Sequence, residues 1–373
     1  MDNNNKIHHK YSQEFVNKWW KMIQSFLEDT LQGNEPITNI QLPDQLGKLV
    51  DFDVTEEPVS EETLMEETLK ALKYQAKPYH PHFHNQLFGG FDQYSFAGAL
   101  AIPAINGSIY TYEMAPCFTL MENSIWEHMR KVIGWEEIDG TMTPGGSFAN
   151  FYAIHQARFR EFPDVVKKGM IGLPPLKIFS SDCSHYSLRK GANLTGIGID
   201  NVVKVPTDSV GRMIPAELEA KIKQEIENGS KPLMVNLTLG TTVEGVIDDI
   251  PALSDVCEKY GVWCHVDGAL GGALLMSPAL RKPLGSFAKV DSITFDPHKA
   301  LVAPLQASFF LCKHRDMAKK CNSLQADYLF HKERASYKTT DLDVGDKQLM
   351  CGRTIDILKL WTYFKGNGWK GIA

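Results

Sequence analysis

Between about Met121 and Cys312 the chain alternates short apolar runs with longer amphipathic stretches. The runs LKIFS (176–180), NVVKV (201–205), LMVNLT (233–238), GVWCHVD (261–267), DSITF (291–295) and ASFFLC (307–312) predict buried strands. Between them, PAELEAKIKQEI places Pro215 at a helix start and spaces Leu218, Ile222 and Ile226 one turn apart. PALSDVCEKYG has the same shape and stops at Gly261. Strand and helix in alternation predict an α/β fold, with a mostly parallel sheet covered by helices on both faces. In such sheets a ligand sits at the carboxyl ends of the strands. Residues 1 to about 75 differ: they are polar, with helical periodicity over 14–27 and 61–72 around the acidic linker DFDVTEEPVSEE. Such an arm has little core of its own and is expected to pack on another domain or subunit.

Composition narrows the function class. The 373 residues are 43% hydrophobic and 23% charged, enough for one large core plus smaller pieces. Lys and Arg number 39 against 45 Asp and Glu, a net charge of -6 without a basic block, so nucleic acid and anionic membrane are poor partners. The seven cysteines are odd in number, scattered and free of CxxC pairs, which points to a reducing compartment. The start, MDNNNKIHHKYSQEF, lacks the apolar run of a signal peptide, and FAGALAIPAI (96–105) is too short to span a bilayer, so a cytoplasmic location is expected. His80, His82 and His84 would share one face of a strand, but no fourth ligand is evident and no metal is expected.

The residues that follow the strands carry candidate chemistry. After GVWCHV come Asp267 and then Gly268, Ala269, Leu270, Gly271 and Gly272. A carboxylate there can lie close to a flat ligand, or it can simply cap a helix. After DSITF come Asp296, Pro297, His298 and Lys299. A lysine just beyond a buried strand is costly to desolvate as a cation and can attack a carbonyl as a free amine; otherwise it snorkels to the surface. TPGGSFANFYA (143–153) is a Gly-Gly turn opening a helix, where Gly145, Gly146 and Ser147 offer donors to a phosphate or form a plain tight turn. His185 follows another strand and is either a packed imidazole or one lying flat on an aromatic ligand. Together, a phosphate cradle, a stacking imidazole, a carboxylate after one strand and a lysine after the next fit pyridoxal 5′-phosphate. Lys299 would bind its aldehyde, and Asp267 would keep its ring nitrogen protonated so that the ring accepts electrons from a carbanion.

These strings and others along the chain (HNQLFGGFD, YTYEMAPCF, SHYSLRKGA, LGTTVEGVID, HVDGALGG, DPHK, VGDK and CGRTIDILKLW) resemble the group II pyridoxal-phosphate-dependent decarboxylases, the group of glutamate decarboxylase and cysteine sulfinate decarboxylase. The resemblance runs from about His80 onward. It implies a fold-type I PLP-dependent transferase-like architecture with a seven-stranded sheet, and homodimers with active sites at the subunit interface. It also implies three regions: a helical N-terminal arm for dimerisation (1–85), a large cofactor-binding α/β domain (86–345), and the start of a small C-terminal domain (346–373) that continues further in relatives. By the same resemblance Lys299 carries the cofactor covalently, Asp267 pairs with the ring nitrogen and His185 stacks on the ring. Gly146 and Ser147 form the phosphate loop, with Asp296 and His298 beside the cofactor. Gln86, Leu87 and Phe88 line the substrate pocket, Arg353 grips a substrate carboxylate, and Tyr337 reprotonates the carbanion.

The expected reaction is decarboxylation of a small acidic amino acid. Phe88, Ser108 and Tyr110 resemble the enzymes acting on cysteine sulfinate and aspartate, and a bulky Phe88 would shorten the pocket by about one methylene. The products would be hypotaurine or β-alanine. The alternatives are glutamate decarboxylation to γ-aminobutyrate and a catalytically impaired homologue that acts as a dimer partner.

Overall fold

The computed structural model describes residues 11–324, 326, 329–330 and 342–373. Among them are the strands β1 (Asp139–Thr143), β2 (Leu176–Ser181), β3 (Val202–Val205), β4 (Lys231–Thr238), β5 (Trp263–Gly268), β6 (Ser292–Phe295) and β7 (Ser308–Cys312). They form one sheet in the order β1-β7-β6-β5-β4-β2-β3. β3, β2, β4, β5 and β6 run parallel, while β7 is antiparallel to both β6 and β1. The mostly parallel sheet expected from the alternation is therefore present, with the seven strands that the resemblance implies. The reversal of β7 matters for function, because its first residue lies at the same sheet edge as the last residues of β1, β5 and β6. Thr143 pairs with Ser308, Phe295 with Phe309, and Asp267 with Thr294.

The strands are apolar on both faces because both are covered. Along β7, Phe309 and Leu311 enter one buried cluster while Phe310 and Cys312 enter another. Period-two alternation places neighbours on opposite faces. The second cluster contains the helix Gly146–Glu161 through Ala149, Tyr152, Ala153 and Ala157. In the first, fully buried Phe295 meets Phe309 edge to face with ring centroids 4.9 Å apart. Each such side chain stabilises the fold by about 1.5–3 kcal/mol relative to exposure.

Local signals set the helix ends. The helix Ile250–Tyr260 begins where the Asp249 carboxylate accepts the Ala252 N–H at 3.1 Å, and it stops at Gly261, whose φ of 64° suits glycine. The helix Pro215–Glu227 starts on its proline and buries Leu218 and Ile222, whereas Ile226 in its last turn stays exposed. Phe96 to Ile105 belong to the helix Gln93–Ile105, which packs on the helix Ile357–Ile372. Gly98 permits that approach: a methyl there would meet the Thr362 hydroxyl and the Leu358 carbonyl. No helix among the described residues is long and apolar enough to cross a membrane.

The chain divides into two compact units, Met1–Asn85 and Gln86–Ala373. The first carries the helices Gln13–Gln32 and Glu61–Lys73, capped by Ser12 and Ser60. They bring Phe15, Val16, Trp19, Trp20 and Leu64 together around a shallow apolar cleft, and Val16, Trp20 and Leu64 remain exposed.

Candidate active site

A cavity of about 340 Å³ opens at the carboxyl edge of the sheet, lined by Leu87, Phe88, Gly146, Ser147, Asn150, His185, Asp267, Asp296, His298 and Lys299, among others. Every strand that ends there delivers part of it. β5 carries Asp267 as its penultimate residue, 6% exposed. Its Oδ2 accepts from Asn150 Nδ2 at 2.7 Å and its Oδ1 from the Ala269 N–H at 3.1 Å. The carboxylate is thus held by two donors rather than capping a helix with a free side chain.

β6 and β7 are joined by residues 296–307, a lobe that leaves and re-enters the sheet at the cavity edge. Asp296, 2% exposed, accepts the Ser308 hydroxyl on Oδ1 at 2.5 Å and faces Lys299 Nζ at 3.2 Å from Oδ2. His298 sits beside them with Nδ1 2.7 Å from the Ala307 carbonyl, and burial holds its pKa below the ordinary histidine range. Farther along the lobe, the buried Lys359 ammonium donates to the carbonyls of Leu305 and Gln306 at 3.1 and 3.2 Å and pairs with Asp356 at 2.6 Å. Leu305 borders the cavity. The lobe is therefore tied down at both feet and near its end.

β1 leads through Gly145 into the helix Gly146–Glu161. No side chain caps that helix, so its first N–H groups face the cavity edge without a protein anion on them. Gly145 has φ 123°, a conformation reserved for glycine. Gly146 is needed for space: a Cβ there would lie 2.7 Å from Asp296 Oδ2 and 3.2 Å from the Ala269 methyl. After β2, His185 accepts the Ser187 N–H on Nδ1 at 3.2 Å. Burial lowers its pKa most, the Asp267 charge raises it, and the Lys299 charge lowers it again, leaving a net decrease.

Pyridoxal phosphate fits these groups. Its aldehyde requires an amine, its ring nitrogen a carboxylate and its phosphate unengaged N–H donors, and the cavity gathers Lys299, Asp267 and an uncapped helix end. Asp296 could have opposed a phosphate, but its Oδ1 is engaged by the Ser308 hydroxyl.

Not every expected residue arrives here. Leu87 and Phe88 line the cavity, but Gln86 is exposed and does not. Ser108 and Tyr110 flank Ile109, whose N–H donates to the Arg353 carbonyl at 2.9 Å; they pack against Gly352 and Gly345 and are absent from the cavity lining. Arg353 is also away from the lining. Its guanidinium is buried, 2.6 Å from Glu122 Oε1, and its Nε donates to Gln348 Oε1 at 2.7 Å. Within this chain Arg353 therefore pairs with a buried carboxylate and does not reach the cavity lining. Tyr337 lies outside the described residues. Among the described residues, no group of three or more His, Cys, Asp or Glu is placed to hold a metal ion.

Sequence reasoning missed Asn150, Cys183, Tyr186 and the Gly240-Thr241-Thr242 loop, all of which line the cavity. The loop was findable, since it directly follows β4 at the ligand edge. Asn150 was findable too, because it lies one turn into the helix opened by the glycine pair and so points the same way as Gly146.

The sequence profile of the pyridoxal-dependent decarboxylase conserved domain matches residues 43–373. Cysteine sulfinic acid decarboxylase of Rattus norvegicus is 41% identical over 352 residues, covering 94% of this chain and 71% of that protein. Glutamate decarboxylase of Drosophila melanogaster is 40% identical over 363 residues, covering 97% and 71%. The crystal structure of mouse CSAD superposes with a TM-score of 0.91 at 37% identity, over 97% of this chain and 76% of that one.

Proposed function

Since the chain belongs to the pyridoxal-dependent decarboxylase family, we propose that the cavity at Lys299 is its active site and that cysteine sulfinate or aspartate is its preferred substrate. The reaction class is pyridoxal-phosphate-dependent decarboxylation of an acidic amino acid. The observation that carries the site assignment is the gathering of the Lys299 amine, the Asp267 carboxylate and an uncapped helix end around one cavity.

Bound there, the cofactor supplies an electron sink for the pair left at Cα when CO2 departs. The residues of the chain do the rest. Lys299 Nζ would hold the cofactor through its aldehyde. The helix end at Gly146 and Ser147 anchors the phosphate through N–H groups. Asp267, held by Asn150 and the Ala269 N–H, keeps a proton on the ring nitrogen. His185, at the cavity wall, would stay neutral beside a bound ring, because burial disfavours its imidazolium. Leu87 and Phe88 wall the cavity, exclude water from the reacting carbon and limit side-chain length. Tyr337 is our candidate proton donor to Cα, on the strength of the resemblance alone.

We further propose a homodimer that uses residues 1–85 as its arm, in keeping with the exposed Val16, Trp20 and Leu64, and a cytoplasmic location, in keeping with seven unpaired cysteines. The test is a CO2-release assay on protein loaded with pyridoxal phosphate. Cysteine sulfinate and aspartate should outpace glutamate, and Phe88→Ser should shift the ratio toward glutamate by roughly tenfold or more, the worth of one methylene. Faster release from glutamate by the unaltered protein would refute the substrate assignment. Lys299→Ala should lose the visible absorbance band of the loaded protein; retention of the band would refute the site.

A further inference from the structure

Beneath the cavity, a line of polar side chains runs through a region that is otherwise apolar. Trp263, His265 and Asp267 alternate along β5 and face the helix Gly146–Glu161, as do Ser292 and Thr294 of the neighbouring strand. Trp263, His265, Ser292 and Thr294 are fully buried and Asn150 is 1% exposed. The Trp263 indole N–H donates to Ser292 Oγ at 2.8 Å, and Ser292 Oγ lies 2.8 Å from His265 Nδ1. His265 Nε2 lies 3.0 Å from Asn150 Oδ1, which also accepts the Thr294 hydroxyl at 2.7 Å. Asn150 Nδ2 then donates to Asp267 Oδ2 at 2.7 Å and to Ser187 Oγ at 2.9 Å.

The chemistry of the two ends gives this line a direction. Trp263 can only donate, and an ionised Asp267 can only accept. Every member between them is aligned when Ser292 donates to Nδ1, His265 carries its proton on Nε2, and Asn150 turns its amide nitrogen toward the carboxylate. A flipped Asn150 would press its carbonyl oxygen on Asp267 and leave Nε2 and Thr294 facing an NH2 group. Burial lowers the pKa of His265 to about 4, so near neutral pH the ring is uncharged, with one donor and one acceptor nitrogen, as the alignment requires.

We propose that Asn150 and His265 are positioning residues for the cofactor's ring nitrogen, with His265 locking the amide of Asn150 so that Asn150 holds Asp267 as an oriented, hydrogen-bonded carboxylate. The inference rests on the reading of Lys299 and Asp267 as the cofactor site, and it adds a function for a row of buried polar groups that the reaction itself does not touch. Their placement sits deep in the fold, where a polar network is kept only if each member is satisfied. His265 reaches the ligand only through two further residues, so its effect must be confined to whatever Asp267 contacts.

That confinement supplies the test. The full-length protein is freed of cofactor and titrated with two probes: pyridoxal 5′-phosphate, and its carbocyclic analogue in which CH replaces the ring nitrogen. The two share the aldehyde and phosphate and differ only where Asp267 acts. His265→Leu should weaken pyridoxal phosphate by about tenfold or more, the effect of one hydrogen bond to a charged group, and leave the analogue within about threefold. His265→Gln, whose amide can still donate to Asn150 Oδ1, should restore most of the loss. Should His265→Leu not fold, judged by its thermal midpoint, Asn150→Ala removes the same donor from Asp267 at the cavity wall and should show the same selectivity. Equal weakening of both probes, or none, would overturn the proposal while leaving the cofactor site intact. If the unaltered protein bound neither probe, the reading of the site itself would fall, and this inference with it.

Discussion

Replacing Glu122 with Gln should destabilise the second unit severely. The Glu122 and Arg353 side chains are 1% and 5% exposed and lie 2.6 Å apart, and the guanidinium's Nε donates to Gln348 Oε1. Gln keeps the size and removes the charge, which strands a guanidinium out of water. Breaking a buried pair by removing one partner costs about 3–5 kcal/mol, whereas replacing both by apolar groups of similar volume is often close to neutral. With a urea m-value of about 3 kcal/mol/M for a unit of this size, the midpoint should fall by roughly 1–2 M. The double change Glu122→Leu with Arg353→Met should recover much of the loss, the sign of a strong pairwise coupling. Urea denaturation followed by tryptophan fluorescence is a suitable assay, since Trp126 is buried in the same helix as Glu122. A midpoint within about 0.3 M of the unaltered protein would mean that Arg353 is balanced elsewhere, and the reading of it as a structural cation would be wrong.

Gly146→Ala should weaken pyridoxal phosphate by roughly tenfold or more in an equilibrium titration, because its methyl would come 2.7 Å from a carboxylate oxygen that Ser308 and Lys299 hold in place; unchanged affinity would show that the helix end is not the phosphate anchor. His265 supplies a pH signature. Burial lowers its pKa from 6.5 to about 4, so the folded state binds this proton less readily than the unfolded one. The associated stability is complete above pH 6.5 and is lost as the pH falls toward 4, about 3 kcal/mol in all. The stability difference between the unaltered protein and His265→Gln should therefore change by that amount between pH 7 and pH 4, and parallel stability curves would contradict it.

Six of the seven strands were legible because their apolar runs are short, β-rich and bounded by turns. β1 was not: DGTMT carries one large apolar residue, and its burial is tolerated only because distant partners satisfy its polar groups. Asp139 pairs with Lys347, Thr143 with Ser308, and Thr141 approaches Gln348. Such long-range compensation has no local signature. In the site, Lys299 and His185 were readable because each follows a strand at the ligand edge, Asp267 because it stands near the end of one, and the glycine turn because it opens a helix. Arg353 shows what a motif leaves out, since it gives the residue type without its neighbours: the carboxylate beside it lies more than two hundred positions earlier, on the helix Pro116–Ile133. The polar row beneath Asp267 was visible in outline as the alternation of Trp263, His265 and Asp267, yet its direction depends on Asn150 and Ser292, which only the packing brings near.

The reversed β7 has a consequence for how such a pocket can change. The lysine stands on a short excursion whose two ends are riveted into adjoining strands, Asp296 to Ser308 at the base and Lys359 across Leu305 and Gln306. Between those rivets Leu301 and Ala303 are buried and the Ala303 N–H donates to the Pro297 carbonyl, so the excursion holds the reactive amine from both sides. A substitution at either rivet would therefore be felt at the amine itself, through backbone that has no slack to absorb it.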